Sequence, residues 1–227
     1  LWCIWAIQQY AKEAGKESCL KLYGDFLRDM IAYIENGKHP NLFLHTNGLL
    51  YAEGKNKAIT WMNGMIDGKP VNPRSGYIVE FNALWYNDIK FVAWLFSDTS
   101  ETEYAAHLEE MASLCKDAFV ATFLSNYGYL YDYVDGNMVD WSVRPNMILA
   151  AAVDYSPLEQ SQKKSVVDIC TRELLTPKGL RSLSPKSGGY TPVCVGDQDH
   201  RTRVYHQGTA WPWLGGFYLE ACLKLYK

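Results

Sequence analysis

Long apolar runs are missing from this sequence. A membrane-spanning helix needs about 18 or more consecutive apolar residues, and the longest apolar window, residues 147–153, is much shorter. The first helical segment carries Gln8, Gln9 and Lys12 and shows no cleavage pattern of a signal peptide. We therefore expect no membrane partner and a cytoplasmic location.

A strong excess of charge of either sign is also missing. The chain has 22 Lys and Arg against 25 Asp and Glu, which gives a net charge of −3 at pH 7. Surfaces that bind nucleic acid usually carry clustered positive charge, whereas the basic residues here are scattered over predicted helix faces. The sequence therefore predicts no nucleic-acid partner.

Several motifs that mark cofactor chemistry are absent. The six cysteines have neither CxxC spacing nor the Cys/His spacing of a zinc site. Five of them fall in helical patterns, where free thiols behave as small buried hydrophobes, and reduced cysteines fit a cytoplasmic protein. There is no phosphate-binding glycine loop and no serine nucleophile elbow. No metal and no cofactor are implied.

Aromatic residues, by contrast, are plentiful, with 8 Trp and 16 Tyr among 227 residues. A chain of this length can bury one substantial core, so we expect a single domain over residues 1–227. Most of the rings are expected in that core because they bury large areas, and a minority at loop ends can stack on sugar rings.

Apolar periodicity predicts about seven helices with long loops between alternate ones. Ser100 and Glu103 predict a capping box, and Ser156 with Pro157 predicts the next cap. In the loop over residues 126–140, four alternating tyrosines would share one side of an extended segment. The predicted helices cover residues 1–15, 16–37, 78–96, 100–124, a short stretch after Arg144, 157–175 and 206–226.

Residues 60–87 form the most informative stretch. A loop rich in Gly and Pro carries Trp61, Asn63 and Arg74, and it runs directly into an apolar helix with Glu80 near its positive N-terminal end. This order places an aromatic ring, an amide, a guanidinium and a carboxylate around one helix end. Such a set suits a ligand with many hydroxyl groups. A capped helix with a solvated loop explains the same spacing equally well.

Five parts of the sequence carry a resemblance to a known family. They are LWCIWAIQQYAKEAG, TWMNG with PVNPRSG and VEFNALWYN, RPNMILAAAVDYSPL, TRELLTPKGLRSLSP, and YHQGTAWPWLGGFYLEA. In this order they resemble the C-terminal glucosidase domain of glycogen debranching enzymes, in particular the stand-alone bacterial form. The resemblance implies an all-α fold, the (α/α)₆ toroid of six-hairpin glycosidases. Because that toroid needs twelve helices, we expect a partial barrel, a piece of a longer protein.

The same resemblance implies a reaction and a partner. Enzymes of this kind hydrolyse the α-1,6-linked glucose left at a branch stub of glycogen or limit dextrin, with inversion at the anomeric carbon. Inversion needs a general acid and a general base about 6.5–9.5 Å apart. The resemblance places the acid just ahead of Leu1 and the base beyond Lys227, so both are expected outside the chain.

Within the chain, Glu80 and Asp140 are the best-placed carboxylates for catalysis. Glu80 also suits hydrogen bonding to sugar hydroxyls or a structural ion pair, and Asp140, four residues before Arg144, suits an ion pair with it. Asn63 stands where many relatives carry Asp, and an amide cannot transfer a proton. The expected substrate-binding residues are Trp61, Asn63, Arg74, Asn82, Trp85, Arg144, Asn146, Tyr205, His206, Gln207, Trp211 and Trp213.

Two classes of function stay open at this stage. The first is a glycosidase of the debranching type, with a glucoamylase-like or trehalase-like toroid enzyme as a variant. The second is a glycan-binding or structural helical fragment without turnover of its own. Trp85 and Trp213, on helix faces, fit the core as well as a binding site under either class. The sequence does not determine the oligomeric state.

Overall fold

The computed structural model describes residues 1–226. About half of these residues are helical, in eight α-helices, and ten short strands lie between them. The expected all-α class is therefore only partly correct, because the long loops fold into small sheets. The helices are α1 Trp2–Ala14, α2 Lys16–Glu35, α3 Val79–Phe96, α4 Thr102–Phe123, α5 Ile148–Ala152, α6 Gln160–Glu173, α7 Gln198–Val204 and α8 Trp213–Tyr226.

The strands are two or three residues long. Most of them flank turns at which glycine adopts a positive φ. A 3₁₀ turn, Pro145–Met147, leads into α5. The strands are β1 Leu42–Leu44, β2 Leu50–Ala52, β3 Met65–Ile66, β4 Lys69–Pro70, β5 Gly76–Ile78, β6 Tyr133–Asp135, β7 Met138–Val139, β8 Leu175–Thr176, β9 Gly179–Arg181 and β10 Ala210–Trp211.

Helix α3 is the centre of the core. Fifteen of its eighteen residues are buried, including the large rings of Trp85, Phe91 and Phe96. A helix that is apolar on all sides must be covered on all sides, and α3 packs against α1, α2, α4 and α5. One apolar cluster extends from these helices to α6 and α8. None of the helices described within residues 1–226 is long and apolar enough to cross a membrane.

The largest sheet places the polar residues of interest at one end of α3. Its order is β1-β2-β5-β6-β7, and all its pairs are antiparallel. Strand β5 runs without a loop into α3. The pairing of β5 with β6 therefore brings the loop after α4 beside the first turn of α3. A second sheet, β10-β9-β8, joins the segment before α8 to the hairpin after α6.

Two predicted helix caps are wrong. Helix α4 begins after Glu101 rather than Ser100, because the hydroxyl of Thr99 accepts the amide of Glu101 at 3.0 Å and closes a turn first. Helix α6 is capped by Glu159, which forms a capping box with Gln162. The expected cap, Ser156, instead donates its hydroxyl to the carbonyl of Ala150 at 2.6 Å.

The C-terminal part also differs from the prediction. The last helix begins at Trp213 rather than His206, because Ala210 and Trp211 pair with β9. Helix α7 lies between the predicted helices 157–175 and 206–226, where no helix is expected, and its N-cap Asp197 accepts the amide of His200 at 2.8 Å. The last helix starts later than predicted because of strand pairing between distant segments, which no local sequence pattern reveals.

Candidate active site

Arg74 and Glu80 form a buried ion pair where the loop before β5 meets α3. Nη2 of Arg74 donates to one carboxylate oxygen of Glu80 at 2.7 Å, and Nη1 donates to the other. Both side chains are about 3% exposed. The strand-to-helix junction holds them six residues apart in sequence and in direct contact. Both oxygens of Glu80 are therefore occupied by the guanidinium.

Asp132 completes this cluster from the opposite side, and the sequence analysis missed it. Nη2 of Arg74 donates to its Oδ1 at 3.0 Å, and Nε of Arg74 lies 2.7 Å from its Oδ2. Asp132 immediately precedes β6 and alternates with Tyr131 and Tyr133, so it points inward where they are half-buried. The sequence signal that could have identified Asp132 is its place as an acidic residue within a run of alternating tyrosines.

Burial and charge act on the cluster in opposite directions. Burial alone would lower the pKa of Arg74, but the adjacent carboxylates of Asp132 and Glu80 raise it above its usual range. Burial raises the pKa of Asp132 above its usual value, although Arg74 and Arg144 act against that rise. Breaking up such a buried group is expensive because a charge is left without its partner.

Asn146 links the ionic cluster to Trp61. Its amide nitrogen donates to Oδ1 of Asp132 at 2.7 Å, and its amide oxygen accepts the indole N–H of Trp61 at 2.7 Å. Pro145 begins the 3₁₀ turn that carries Asn146, as expected from the fixed φ of proline. The orientation of the Trp61 ring is therefore fixed by a chain of hydrogen bonds that ends at Arg74.

Arg144 holds a second set of residues against the same cluster. It donates to the carbonyl oxygens of Ser182 and His206 at 3.1 and 2.9 Å, and to the side-chain oxygen of Gln207 at 3.0 Å. Its Nε lies 3.9 Å from Asp132. Burial lowers the pKa of Arg144, an effect that Asp132 opposes. The segment before α8 is thus fixed to the 3₁₀ turn.

A wall of aromatic rings stands beside these polar groups. The rings of His206 and Trp211 stack with centroids 5.3 Å apart, and Trp61 packs edge-on against both, at 5.1 and 5.2 Å. Trp213 meets Trp61 at 5.3 Å. Burial, together with the charge of Arg144, lowers the pKa of His206 to about 4. His206 is therefore neutral at pH 7.

A cavity of about 570 Å³ borders Trp61. This volume is in the range of small-molecule sites. Besides Trp61, its lining includes Trp2, Phe81 and Thr60, so it combines rings with polar side chains. Leu1, His39, Asn41, Leu42 and Ile59 complete it. The fixed indole of Trp61 connects this cavity to the buried cluster.

Two of the expected binding residues lie in the core. Asn82 accepts the amide of Leu50 at 2.7 Å and donates to two carbonyl oxygens, which ties β2 to α3. Trp85 is fully buried and donates its N–H to Gly48 at 3.2 Å. The polar atoms of both side chains are occupied by protein groups, which favours a structural role over the sugar contacts that we expected.

Three more expected residues lie nearer the surface. Asn63 is exposed, and Tyr205 is partly exposed with its ring against His206 and Trp211. Asp140 does not form the expected ion pair with Arg144 among residues 1–226; it accepts the amide of Ser142 at 2.8 Å instead. The reason is that Arg144 turns inward to Asp132.

The structure thus collects most of the expected residues into one place. Trp61, Arg74, Glu80, Arg144, Asn146, His206, Gln207, Trp211 and Trp213 are linked through hydrogen bonds, ion pairs or ring contacts. Across residues 1–226, no group of three or more His, Cys, Asp and Glu side chains has the geometry of a metal site. The cluster is suited to orienting an aromatic platform, and its own carboxylates are shielded from water.

Comparison with known proteins agrees with the resemblance in the sequence. The family described as Amylo-alpha-1,6-glucosidase matches residues 1–227. The glycogen debranching enzyme of Saccharomyces cerevisiae (strain ATCC 204508 / S288c) is 26% identical over an alignment of 227 residues. That alignment covers 80% of this chain and 15% of the yeast protein, so the chain spans a small part of its relative. The chain belongs to the amylo-alpha-1,6-glucosidase family.

Proposed function

We propose that this chain supplies the glucose-binding part of a glycoside hydrolase that removes α-1,6-linked glucose from the branch stubs of glycogen-like glucans. The observation that carries the proposal is the convergence of the family-motif residues on one buried cluster beside the cavity at Trp61. Those residues come from segments up to about 150 positions apart in the sequence. Family membership supports the same reaction class.

The geometry suggests how a glucose unit is held. The indole face of Trp61 offers an apolar surface to the C–H groups of a pyranose. Its N–H is bound to Asn146, and Asn146 is bound to Asp132. A ring that is already oriented loses little freedom when the sugar binds. In this proposal the buried ionic cluster positions the sugar platform and transfers no proton itself.

The proton-transfer groups belong elsewhere in this proposal. Inversion needs an acid and a base with room for one water between them, whereas Glu80 is only 2% exposed and bound through both oxygens to Arg74. We assign Glu80 to positioning. In this proposal the general acid and the general base are therefore groups other than Glu80.

The wider setting of the chain belongs to the same proposal. Its helices form part of an (α/α)₆ toroid, residues 1–227 act as one domain, and the protein works in the cytoplasm on glycogen or limit dextrin. The alternation of helices with long loops that fold into small sheets near the start of α3 supports this arrangement.

Glucose release from a defined branch tests the proposal. The substrate is a maltooligosaccharide with one α-1,6-linked glucosyl branch, and proton NMR follows which anomer of glucose appears first. We expect β-glucose first from the protein that contains this chain. Replacing Trp61 with Ala should reduce the rate at least about tenfold, whereas Trp94→Ala, at a partly exposed site on α3, should not. First appearance of α-glucose would contradict inversion, and no release would contradict the reaction.

A second candidate is glycan binding by a protein that releases no glucose. The burial of Glu80 and Asp132 favours it, because neither carboxylate can reach a substrate. The same protein would then bind the branched oligosaccharide with no release of glucose. Binding with release supports the hydrolase; binding without release supports this alternative.

A further inference from the structure

A second cleft lies outside the candidate active site. Its volume is about 570 Å³, and it runs between the β6–β7 hairpin and the turn after β9. The lining includes Tyr129, Tyr133, Asp140, Trp141, Lys186 and Ser187. Rings, a carboxylate, an amine and a hydroxyl therefore face one open space. None of these residues belongs to the cluster at Arg74 or lines the cavity at Trp61, although the backbone of Asp132 is adjacent to the cleft.

Trp141 is the most distinctive part of this cleft. Its side chain is 54% exposed, which is unusual for so large an apolar ring. Tyr131 supports it edge-on, with centroids 4.8 Å apart, and the hydroxyl of Tyr129 donates to its backbone oxygen at 3.2 Å. The indole is held in position from the protein side while much of its surface remains open. A fixed, exposed indole is a platform for a sugar ring.

Asp140 adds an acceptor beside this platform. One oxygen accepts the amide of Ser142 at 2.8 Å, and among the described residues no Lys, Arg or His lies within ion-pair distance of the carboxylate. Ser187 accepts the amide of Val143 at 3.2 Å through its hydroxyl oxygen, so its O–H is free to donate. A half-buried carboxylate that lines a cleft can still accept hydroxyl groups of a sugar bound there.

Lys186 supplies donors on the other wall. Its ammonium group contacts Glu173 at 2.7 Å, while its side chain is largely exposed. An ammonium group has three N–H donors, so two remain for sugar hydroxyls. The cleft thus offers stacking, acceptors and donors within one space, and its charges of opposite sign suit a neutral polyhydroxylated ligand better than an anion or a cation.

We propose that this cleft binds a stretch of α-1,4-linked glucose units, with Trp141 as the stacking platform and Asp140 as the hydroxyl acceptor. This inference rests on the proposed function, since it takes the substrate to be an α-glucan. It reassigns Asp140 from proton transfer to glucan binding. The hairpin connects the two sites, because the amide of Asp132 donates to the backbone oxygen of Asp140 at 3.1 Å.

Calorimetric titration with maltoheptaose tests the inference. Relative to the unmodified protein, Trp141→Ala should raise Kd by about fivefold, the size expected for loss of one stacking contact. Trp141→Phe keeps a ring and should raise Kd less. Asp140→Asn should also weaken binding, and Trp94→Ala is the matched control at another partly exposed Trp. Circular dichroism checks that each variant is folded.

Each outcome has a definite meaning. An unchanged Kd in Trp141→Ala, or no binding of maltoheptaose by the unmodified protein, overturns the inference. An equal loss in Trp94→Ala overturns it too, because the effect would then not belong to the cleft. The protein could also bind maltoheptaose in a Trp141-dependent way and release no glucose from the branched substrate. That result would contradict the proposed reaction and support the glucan-binding cleft.

Discussion

Arg74 neutralises two buried carboxylates at once. Its guanidinium is bidentate to Glu80 and also contacts Asp132. A lysine has one compact charged group and cannot reproduce that planar fork. The residue therefore has a structural role that is separate from any contact with substrate.

We predict that Arg74→Ala lowers the free energy of unfolding by about 3–5 kcal/mol, because two carboxylates are left buried without their cation. Arg74→Lys should recover only part of this loss. Urea unfolding followed by circular dichroism measures the effect. The control is Lys164→Ala, which removes an exposed pair with Asp168 and should leave the stability almost unchanged, because exposed ion pairs contribute little. Equal stability of Arg74→Ala and the unmodified protein would refute the cluster.

His206 makes a pH-dependent contribution. Its pKa is lowered to about 4 in the folded state, by burial and by Arg144, while an unfolded histidine titrates near 6.5. Between these two values the unfolded chain binds more protons, so stability falls as pH falls through this window. The contribution is fully present above about pH 6.5. Below about pH 4 it has reached its greatest loss.

We predict that His206 accounts for about 2 kcal/mol of the stability lost between pH 7 and pH 5. His206→Gln removes the titrating group, so unfolding free energies of this variant should fall less over the same range. Urea unfolding at half-unit pH intervals gives both slopes. Parallel slopes for the variant and the unmodified protein would show that His206 is not held neutral by the fold.

At the level of elements, β5 decides where the cluster forms. Gly76 in this strand has φ of 92°, and a Cβ atom there would overlap the carbonyl oxygen of Val134 in β6. Only glycine meets both demands without strain. Because Arg74 and Glu80 flank this position, the β5–β6 pairing and the ionic cluster depend on the same glycine.

We predict that Gly76→Ala lowers the free energy of unfolding by at least about 2 kcal/mol, through backbone strain and the clash with β6. The matched control is Gly216→Ala in α8, where a Cβ meets nothing within 4 Å. That change should stabilise the protein by up to about 1 kcal/mol. Similar effects of the two substitutions would mean that the close approach of β5 to β6 is unimportant.

The elements also show what the sequence could predict. Apolar periodicity located α1, α2 and α3 to within two residues, because an amphipathic or fully apolar helix has a local signature. Caps at α4 and α6 were misplaced, since several polar residues compete for one helix start and local turns decide among them. The start of α8 was misplaced because β10 pairs with a strand from a distant segment.

The candidate site could be predicted in part. Trp61, Arg74, Arg144 and His206 were all expected around one ligand, and they do lie together. Asp132, which joins them, was missed because its role arises only when β6 pairs with β5. The burial of Glu80 was likewise invisible in the sequence, since it depends on residues from the loop after α4.

In the whole molecule, one hairpin joins the two regions that we propose bind glucan. On one side Asp132 fixes the ring of Trp61 through Asn146, and on the other Asp140 and Trp141 line the open cleft. A branched glucan has a short stub and a longer main chain, and the two regions would receive these parts separately. The proposed reaction depends on glucose binding in the cavity beside Trp61, so that binding matters more than the open cleft.

A crystal structure of the protein with bound glucose is the decisive experiment for this cavity. We expect one glucose unit beside Trp61, with the pyranose face against the indole and with the contacts among Asn146, Asp132 and Arg74 unchanged. Glucose bound only elsewhere, with the cavity at Trp61 unoccupied at a saturating concentration, would contradict it.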